Sequence, residues 1–78
     1  MTLKIISAQE VLYSGEVTSV TLPGTEGEFT VLHNHAALLA TLTAGKMKYT
    51  DASGTELSSS IGAGIADVDN NVITVCIY

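Results

Sequence analysis

Short apolar segments alternate with turn-forming residues along the whole chain. Most segments are about four to eight residues long, which is typical of β-strands. The many Thr, Val and Ile side chains also suit a pleated, half-buried surface. The pattern therefore predicts nine short strands. They are Leu3–Ala8, Gln9–Tyr13, Val17–Leu22, Phe29–Leu32, Leu38–Thr43, Lys46–Thr50, Thr55–Ser60, Ala63–Asp67 and Val72–Ile77.

One hairpin is visible in the alternation of side chains. Met47 and Tyr49 alternate with lysines, so both are predicted to face the core. Gly54 follows in a short polar turn, where glycine supplies the positive φ that a tight hairpin needs.

The segment from Ala36 to Leu42 is ambiguous, because it contains helix formers with apolar residues at helical spacing. Turn-forming residues bound it, and it covers only about two helical turns, which is short for an independent helix. We therefore predict the strand Leu38–Thr43.

The last segment is partly apolar on both faces. Ile73, Val75 and Ile77 form one face, and Thr74, Cys76 and Tyr78 form the other. We expect one face to meet the core and the other to contact another molecule.

These elements predict an all-β fold, an antiparallel β-sandwich or flattened barrel, as a single domain over residues 1–78. A chain of 78 residues buries a limited fraction of its surface, and its single cysteine, Cys76, excludes an internal disulfide.

Composition excludes several functions. Three Lys, no Arg and eight Asp or Glu give a net charge of −5, which disfavours binding to nucleic acid or to an anionic membrane surface. No apolar run reaches the ~20 residues of a membrane span, and no signal peptide is evident. We therefore expect a cytoplasmic protein without direct membrane insertion.

No group of residues forms a convincing catalytic or cofactor site. His33 and His35 are the only histidines, and a third metal ligand is not placed by spacing. The segment Asp67–Asn71 lacks the later ligands of a calcium loop. The stretch Gly62-Ala63-Gly64 is expected at a close backbone approach or bulge in a strand, and Gly24 and Gly27 are expected to permit unusual backbone angles around a tight turn.

Several spaced motifs resemble the F-type ATP synthase epsilon subunit family, whose patterns read G-x-E-G-E, H-A-P-L-L, G-I-x-E-V and N-x-V-T-V. The corresponding residues are Gly24-Thr25-Glu26-Gly27-Glu28, His35-Ala36-Ala37-Leu38-Leu39, Gly64-Ile65-Ala66-Asp67-Val68 and Asn71-Val72-Ile73-Thr74-Val75. The resemblance covers essentially all 78 residues. Ala37 and Ala44 replace usual prolines, which loosens the loops that carry them.

The resemblance implies the N-terminal β-sandwich of that family, with about ten strands in two sheets. It also implies a non-catalytic rotor subunit of the central stalk, which links the gamma subunit to polar loops of the membrane c-ring and couples ion translocation to ATP synthesis. The expected location is the cytoplasmic face of the bacterial inner membrane, with no cofactor. The C-terminal helical hairpin of many relatives is absent from these 78 residues.

Two groups of contact residues follow from the resemblance. The expected c-ring interface contains Glu26, Gly27, Glu28, His35, Ala36 and Leu38. The expected gamma interface contains Ser7, His35, Cys76 and Tyr78.

Two other functions remain open at this stage. One is a stand-alone β-sandwich module that binds a ligand in an apolar pocket. The other is a metal-dependent enzyme in which His33, His35 and a carboxylate hold the metal.

Overall fold

The structure, a computed structural model, describes residues 1–78 and consists of eight strands with no helix. It has no helix long and apolar enough to cross a bilayer. The strands are β1 (Thr2–Ile6), β2 (Val11–Gly24), β3 (Gly27–Leu32), β4 (Leu38–Leu42), β5 (Gly45–Asp51), β6 (Glu56–Ile61), β7 (Gly64–Asp69) and β8 (Val72–Ile77).

The strands form two layers that share the 14-residue strand β2. Its first part pairs with β1, in a layer that continues through β8 and β7 to β4. Its second part pairs with β3 on one side and with β5 on the other, and β5 pairs with β6. Gly24 at the end of β2 also pairs with Leu42 of β4, which joins the two layers at one end. The expected β-sandwich is therefore confirmed.

The eight strands are fewer than the nine predicted and the about ten that the resemblance implied. The two strands predicted at Gln9–Tyr13 and Val17–Leu22 are one, because Ser14 and Gly15 lie inside β2 instead of in a turn. Both residues pair with β1, opposite Lys4 and Leu3, so the ladder continues through them. A Cβ at Gly15 would lie 2.9 Å from the Tyr13 hydroxyl oxygen, so this glycine makes room for the ring of Tyr13.

The strand pairs are antiparallel with one exception, since β1 and β8 run parallel. This pair joins the two ends of the chain side by side in the first layer. A hairpin pattern in the sequence could not reveal it, because parallel strands need a long connection.

The core lies between the layers and contains fourteen buried apolar side chains. Met47 and Tyr49 are among them, as the alternation predicted. Ile73 and Val75 of β8 are also buried, whereas Cys76 is half-buried and Tyr78 is exposed, so β8 does present two different faces.

The two local predictions about turns and the ambiguous segment are confirmed. The β5–β6 turn contains Gly54 with φ of 89°. Residues Leu38–Leu42 form a strand that pairs with β7 along its whole length, and these pairings outweigh the helical propensity of the segment. Gly24 differs from its prediction, because it meets a close approach instead of a positive φ. A Cβ there would lie 2.7 Å from the Gly27 carbonyl oxygen.

Candidate functional site: two surface concavities

An open groove of about 600 Å³ lies at the end of the sandwich where β2 and β4 meet. The β2–β3 turn and β3 form one wall, and β4 with the residue His35 forms the other. The groove is lined by Gly24, Thr25, Glu26, Gly27, Glu28, Phe29, His35, Leu38, Leu39, Ala40 and Thr41.

The β2–β3 turn is held firmly against β4. The Thr25 amide donates a hydrogen bond to the Thr41 carbonyl at 3.0 Å, and the two threonine hydroxyls are 2.7 Å apart. Gly27 completes the turn with φ of 123°, a conformation that side chains rarely adopt. The side chains of Glu26 and Glu28 are therefore displayed to solvent from a fixed backbone.

The loop between β3 and β4 orients His35. Its amide donates to the Leu32 carbonyl at 3.1 Å. Its ring Nδ1 lies 2.7 Å from the Ala36 carbonyl oxygen, which can only accept, so Nδ1 carries the proton. In the neutral ring the other nitrogen, Nε2, is therefore left as an acceptor.

The structure gathers most of the residues expected at a c-ring interface. Glu26, Gly27, Glu28, His35 and Leu38 all line the groove. Ala36 is exposed next to them but is not part of the lining.

Six lining residues were not among the predicted contacts, and Phe29 and Leu39 are the two large apolar side chains among them. The other four are Gly24, Thr25, Ala40 and Thr41. Leu39 has a readable signal: Leu38 and Leu39 are adjacent on a strand, so they must point to opposite faces. Its side chain is 73% exposed, more than that of any other leucine or valine in the chain.

A second concavity of about 300 Å³ collects the other expected contact residues. It is lined by Ile6, Ser7, Ala8, Cys76, Ile77 and Tyr78. The Ser7 hydroxyl oxygen accepts from the amides of Gln9 and Glu10, at 3.4 and 3.3 Å, so it also stabilises the turn after β1. His35, which the resemblance placed in both groups, lines the first groove and not this concavity.

The groove carries two carboxylates, Glu26 and Glu28, and no lysine. No three His, Cys, Asp or Glu side chains cluster as a metal site would require. Hydrogen bonds lower the pKa of the Glu16 and Asp51 carboxyls, and burial raises the pKa of the Tyr49 phenol, but none of these three residues lines the groove.

These observations define a β-sandwich in which most of the expected contact residues line two of the surface concavities. The sequence model of the family described as "ATP synthase, Delta/Epsilon chain, beta-sandwich domain" matches residues 1–77. The chain therefore belongs to the family of ATP synthase delta/epsilon chains, in its β-sandwich domain.

Curated relatives carry the same family name over most of this chain. The ATP synthase epsilon chain of Campylobacter jejuni subsp. doylei is 44% identical over 75 residues, which are 96% of this chain and 58% of that relative. The epsilon chain of Sulfurovum sp. is 40% identical over 77 residues, 99% of this chain and 59% of the relative. The chain thus spans a little over half the length of these relatives.

Solved structures show the same fold. A chain of the Euglena gracilis mitochondrial ATP synthase, from a cryo-EM structure of OSCP, F1 and c-ring, matches with a TM-score of 0.89 at 25% identity. The match covers 96% of this chain and 48% of that one. A chain of the Tetrahymena thermophila mitochondrial ATP synthase central stalk and c-ring matches with a TM-score of 0.81 at 13% identity, over 99% of this chain and 62% of that one, a likeness of fold alone.

Proposed function

We propose that this domain is a non-catalytic part of the ATP synthase rotor, bound to the gamma subunit on one side and to polar loops of the c-ring on the other. In this role it couples ion translocation to ATP synthesis by transmitting rotation. Its proposed location is the cytoplasmic face of the bacterial inner membrane, as a peripheral component of the complex.

The observation that carries the proposal is the clustering of the family-matched residues in space. Glu26, Gly27 and Glu28 at the β2–β3 turn meet His35, just before β4, and Leu38, at the start of β4, around one groove at the end of the sandwich. Ser7, Cys76 and Tyr78 come together in a second concavity. A subunit that links two partners needs two binding surfaces. Contact residues spread over the whole surface would have argued against this role.

The packing of the domain suits the transmission of torque. Fourteen apolar side chains fill the space between the layers, and close-packed protein interiors resist deformation. The turn with Glu26 is tied to β4 through both backbone and side-chain atoms of Thr25. A load applied at the groove is therefore carried directly into the first layer.

The groove contains carboxylates that can bind a polar partner. Glu28 is exposed and lines the groove, where it can accept hydrogen bonds from basic or amide groups of the ring loops. Carboxylates at an interface rim mainly set register and the rate of association. We assign Glu28 this anchoring role.

The second concavity supplies an apolar contact for gamma. Ile6, Ile77 and Cys76 line it, and Tyr78 beside them is 83% exposed. A large exposed aromatic ring next to apolar side chains is typical of residues that contribute strongly to binding.

The test of the proposal is co-purification. The 78-residue chain, affinity-tagged, is expected to retain both gamma and the c-ring when it is isolated from detergent-solubilised membranes. Elution as a free monomer, without either partner, would overturn the proposal and would favour the stand-alone ligand-binding module.

Cross-linking tests the gamma-facing assignment separately. Cysteine is introduced at Ser7 or at His35 in a Cys76→Ser background, and each variant is treated with a short cross-linker in the assembled complex. Labelling of gamma from position 7 supports the assignment. Labelling of neither gamma nor the ring from both positions contradicts it.

A further inference from the structure

We infer that the ring-facing surface extends beyond the groove across β4 onto β7, with Leu39 as its apolar anchor. The partner segment that fits it carries an apolar side chain flanked by basic ones. The inference rests on the proposed function, since it assigns this extended surface to a loop of the c-ring.

Leu39 stands between two depressions of the surface. The groove lies on one side, and a shallower concavity of about 320 Å³ lies on the other. The second one is lined by Ala37, Leu38, Leu39, Asp67, Val68 and Asp69. Leu38 and Leu39 belong to both linings, so the two depressions adjoin along β4.

The register of β4 forces Leu39 outward. Leu38 pairs with Val68 and Ala40 pairs with Ala66, and both of these β7 residues are buried in the core. Leu39 pairs with Asp67, on the opposite face of the sheet. A one-residue slip that buried Leu39 would expose the inward residues of β4, so its exposure is a stable property of the fold.

The charges around Leu39 have one sign. Glu26 and Glu28 line the groove, and Asp67 and Asp69 line the shallower concavity. None of these four carboxylates forms an ion pair, because the only ion pair in the structure joins the Met1 ammonium to Glu16. No lysine lines either depression.

Leu39 and the four carboxylates around it resemble a protein–protein interface, which has an apolar centre and a polar rim. An apolar side chain alone would leave the four carboxylates without partners, and a purely basic segment would leave Leu39 uncovered. A loop that combines both chemistries satisfies the whole surface.

The apolar arm of the test compares two exposed leucines. Leu39→Ser is expected to weaken binding of the chain to purified, detergent-solubilised c-ring by about tenfold or more, as for central interface residues. Leu32→Ser is the matched control, because Leu32 is 58% exposed on β3 and lines neither depression. It is expected to change the affinity by less than about twofold.

The charge arm uses two double variants with the same change in net charge. Asp67→Asn with Asp69→Asn is expected to weaken ring binding about threefold or more and to reduce its dependence on salt. Glu10→Gln with Glu56→Gln removes two carboxylates elsewhere and is expected to leave both properties unchanged.

Retention of gamma by each variant shows that it is folded. If Leu39→Ser binds the ring as the parent does while Glu28→Lys does not, the extended surface is wrong and the proposed function stands. If the parent chain itself shows no ring binding, the proposed function fails.

Discussion

Asn34 and Asn71 hold two distant turns together through a reciprocal pair of hydrogen bonds. The Asn34 amide donates to the Asn71 Oδ1 at 2.8 Å, and the Asn71 Nδ2 donates to the Asn34 Oδ1 at 2.8 Å. Both residues have positive φ, of 61° and 62°. The Asn71 carbonyl also accepts from the Thr2 amide at 2.9 Å. The loop that carries His35 is therefore anchored to the β7–β8 turn and, through it, to β1.

Removal of this anchor is expected to destabilise the domain. Asn71→Gly keeps a residue that tolerates positive φ but deletes both side-chain hydrogen bonds. Asn70→Gly is the control, since Asn70 also has positive φ, of 55°, in the same turn. We expect Asn71→Gly to lower the free energy of unfolding by about 1 kcal/mol more than the control does, in urea titrations. Equal effects of the two variants would show that the hydrogen bonds between Asn34 and Asn71 contribute nothing to the free energy of unfolding.

Reversal of the charge at Glu28 tests the groove as the ring contact. If Glu28 anchors basic ring groups as we propose, Glu28→Lys places a like charge against them, so we expect roughly tenfold weaker docking and reduced coupled proton pumping. Glu56→Lys makes the same charge change on β6, outside the groove, and is expected to behave as the parent. Unchanged docking and pumping in Glu28→Lys would show that Glu28 is not the anchor.

Replacement by alanine is expected to destabilise the domain at Gly64 but not at the nearby Gly62. A Cβ at Gly64 would collide with the Cys76 carbonyl oxygen, whereas a Cβ at Gly62 meets nothing within 4 Å. We expect Gly64→Ala to cost about 1–3 kcal/mol of unfolding free energy through overpacking. Gly62→Ala is expected to be neutral or to stabilise by up to about 1 kcal/mol, because it restricts the unfolded chain. The free energies of unfolding of both variants are measured in denaturant titrations, and an equal loss in the two would contradict the prediction.

Acid is expected to weaken the β5–β6 hairpin through Asp51. Its carboxylate accepts from the Ser53 hydroxyl at 2.8 Å and from the amides of Thr55 and Ser53 at 2.9 and 3.0 Å. The Ser53 hydroxyl is the main cause of the lowered pKa of Asp51, and these amides add to it. A lowered folded pKa means that the stabilisation is complete above the unfolded pKa and is lost as the pH falls through the folded pKa.

The corresponding measurement is the melting temperature between about pH 6 and pH 2. Asp51→Asn is expected to lose less stability over this range than the parent does. The Glu10→Gln variant should keep the parent's profile, because no hydrogen bond to its carboxyl is present. Part of the acid response remains in every variant, since the Thr2 hydroxyl and the N-terminal ammonium lower the pKa of Glu16 as well. Identical profiles for the parent and Asp51→Asn would exclude this contribution.

Alkali is expected to act through Tyr49. Burial is the main cause of the raised pKa of its phenol, and the neighbouring Tyr13 adds to it, with the ring centroids 4.8 Å apart. A raised folded pKa means that the stabilisation is complete below the unfolded pKa, near 10, and is lost as the pH rises through the folded pKa. Tyr49→Phe should therefore flatten the loss of stability above about pH 10, whereas Tyr78→Phe at an exposed site should not. A loss as steep in Tyr49→Phe as in the parent would contradict this.

Local chemistry was readable from the sequence because each local feature acts over a few residues. The alternation around Met47 identified the buried face of β5, and Gly54 identified the hairpin turn. The motifs around Glu26 and His35 identified residues that line one groove. The first two inferences needed only the period of a strand or the φ preference of one residue, whereas the groove residues came from the resemblance to the family.

Only the tertiary structure decided how these parts are arranged. Gly15 lies within β2 because its backbone pairs with β1, although a glycine after a serine is a common turn signal. The parallel pairing of β1 with β8 and the joining of the layers through Gly24 and Leu42 depend on contacts between residues far apart in the chain. The exposure of the Leu39 side chain to solvent follows from the register of β4 against β7. The sequence by itself determined most of the strands, most of the turns and the family. Long-range pairing determined which residues share a surface, because each such pairing is a collective property of two distant segments.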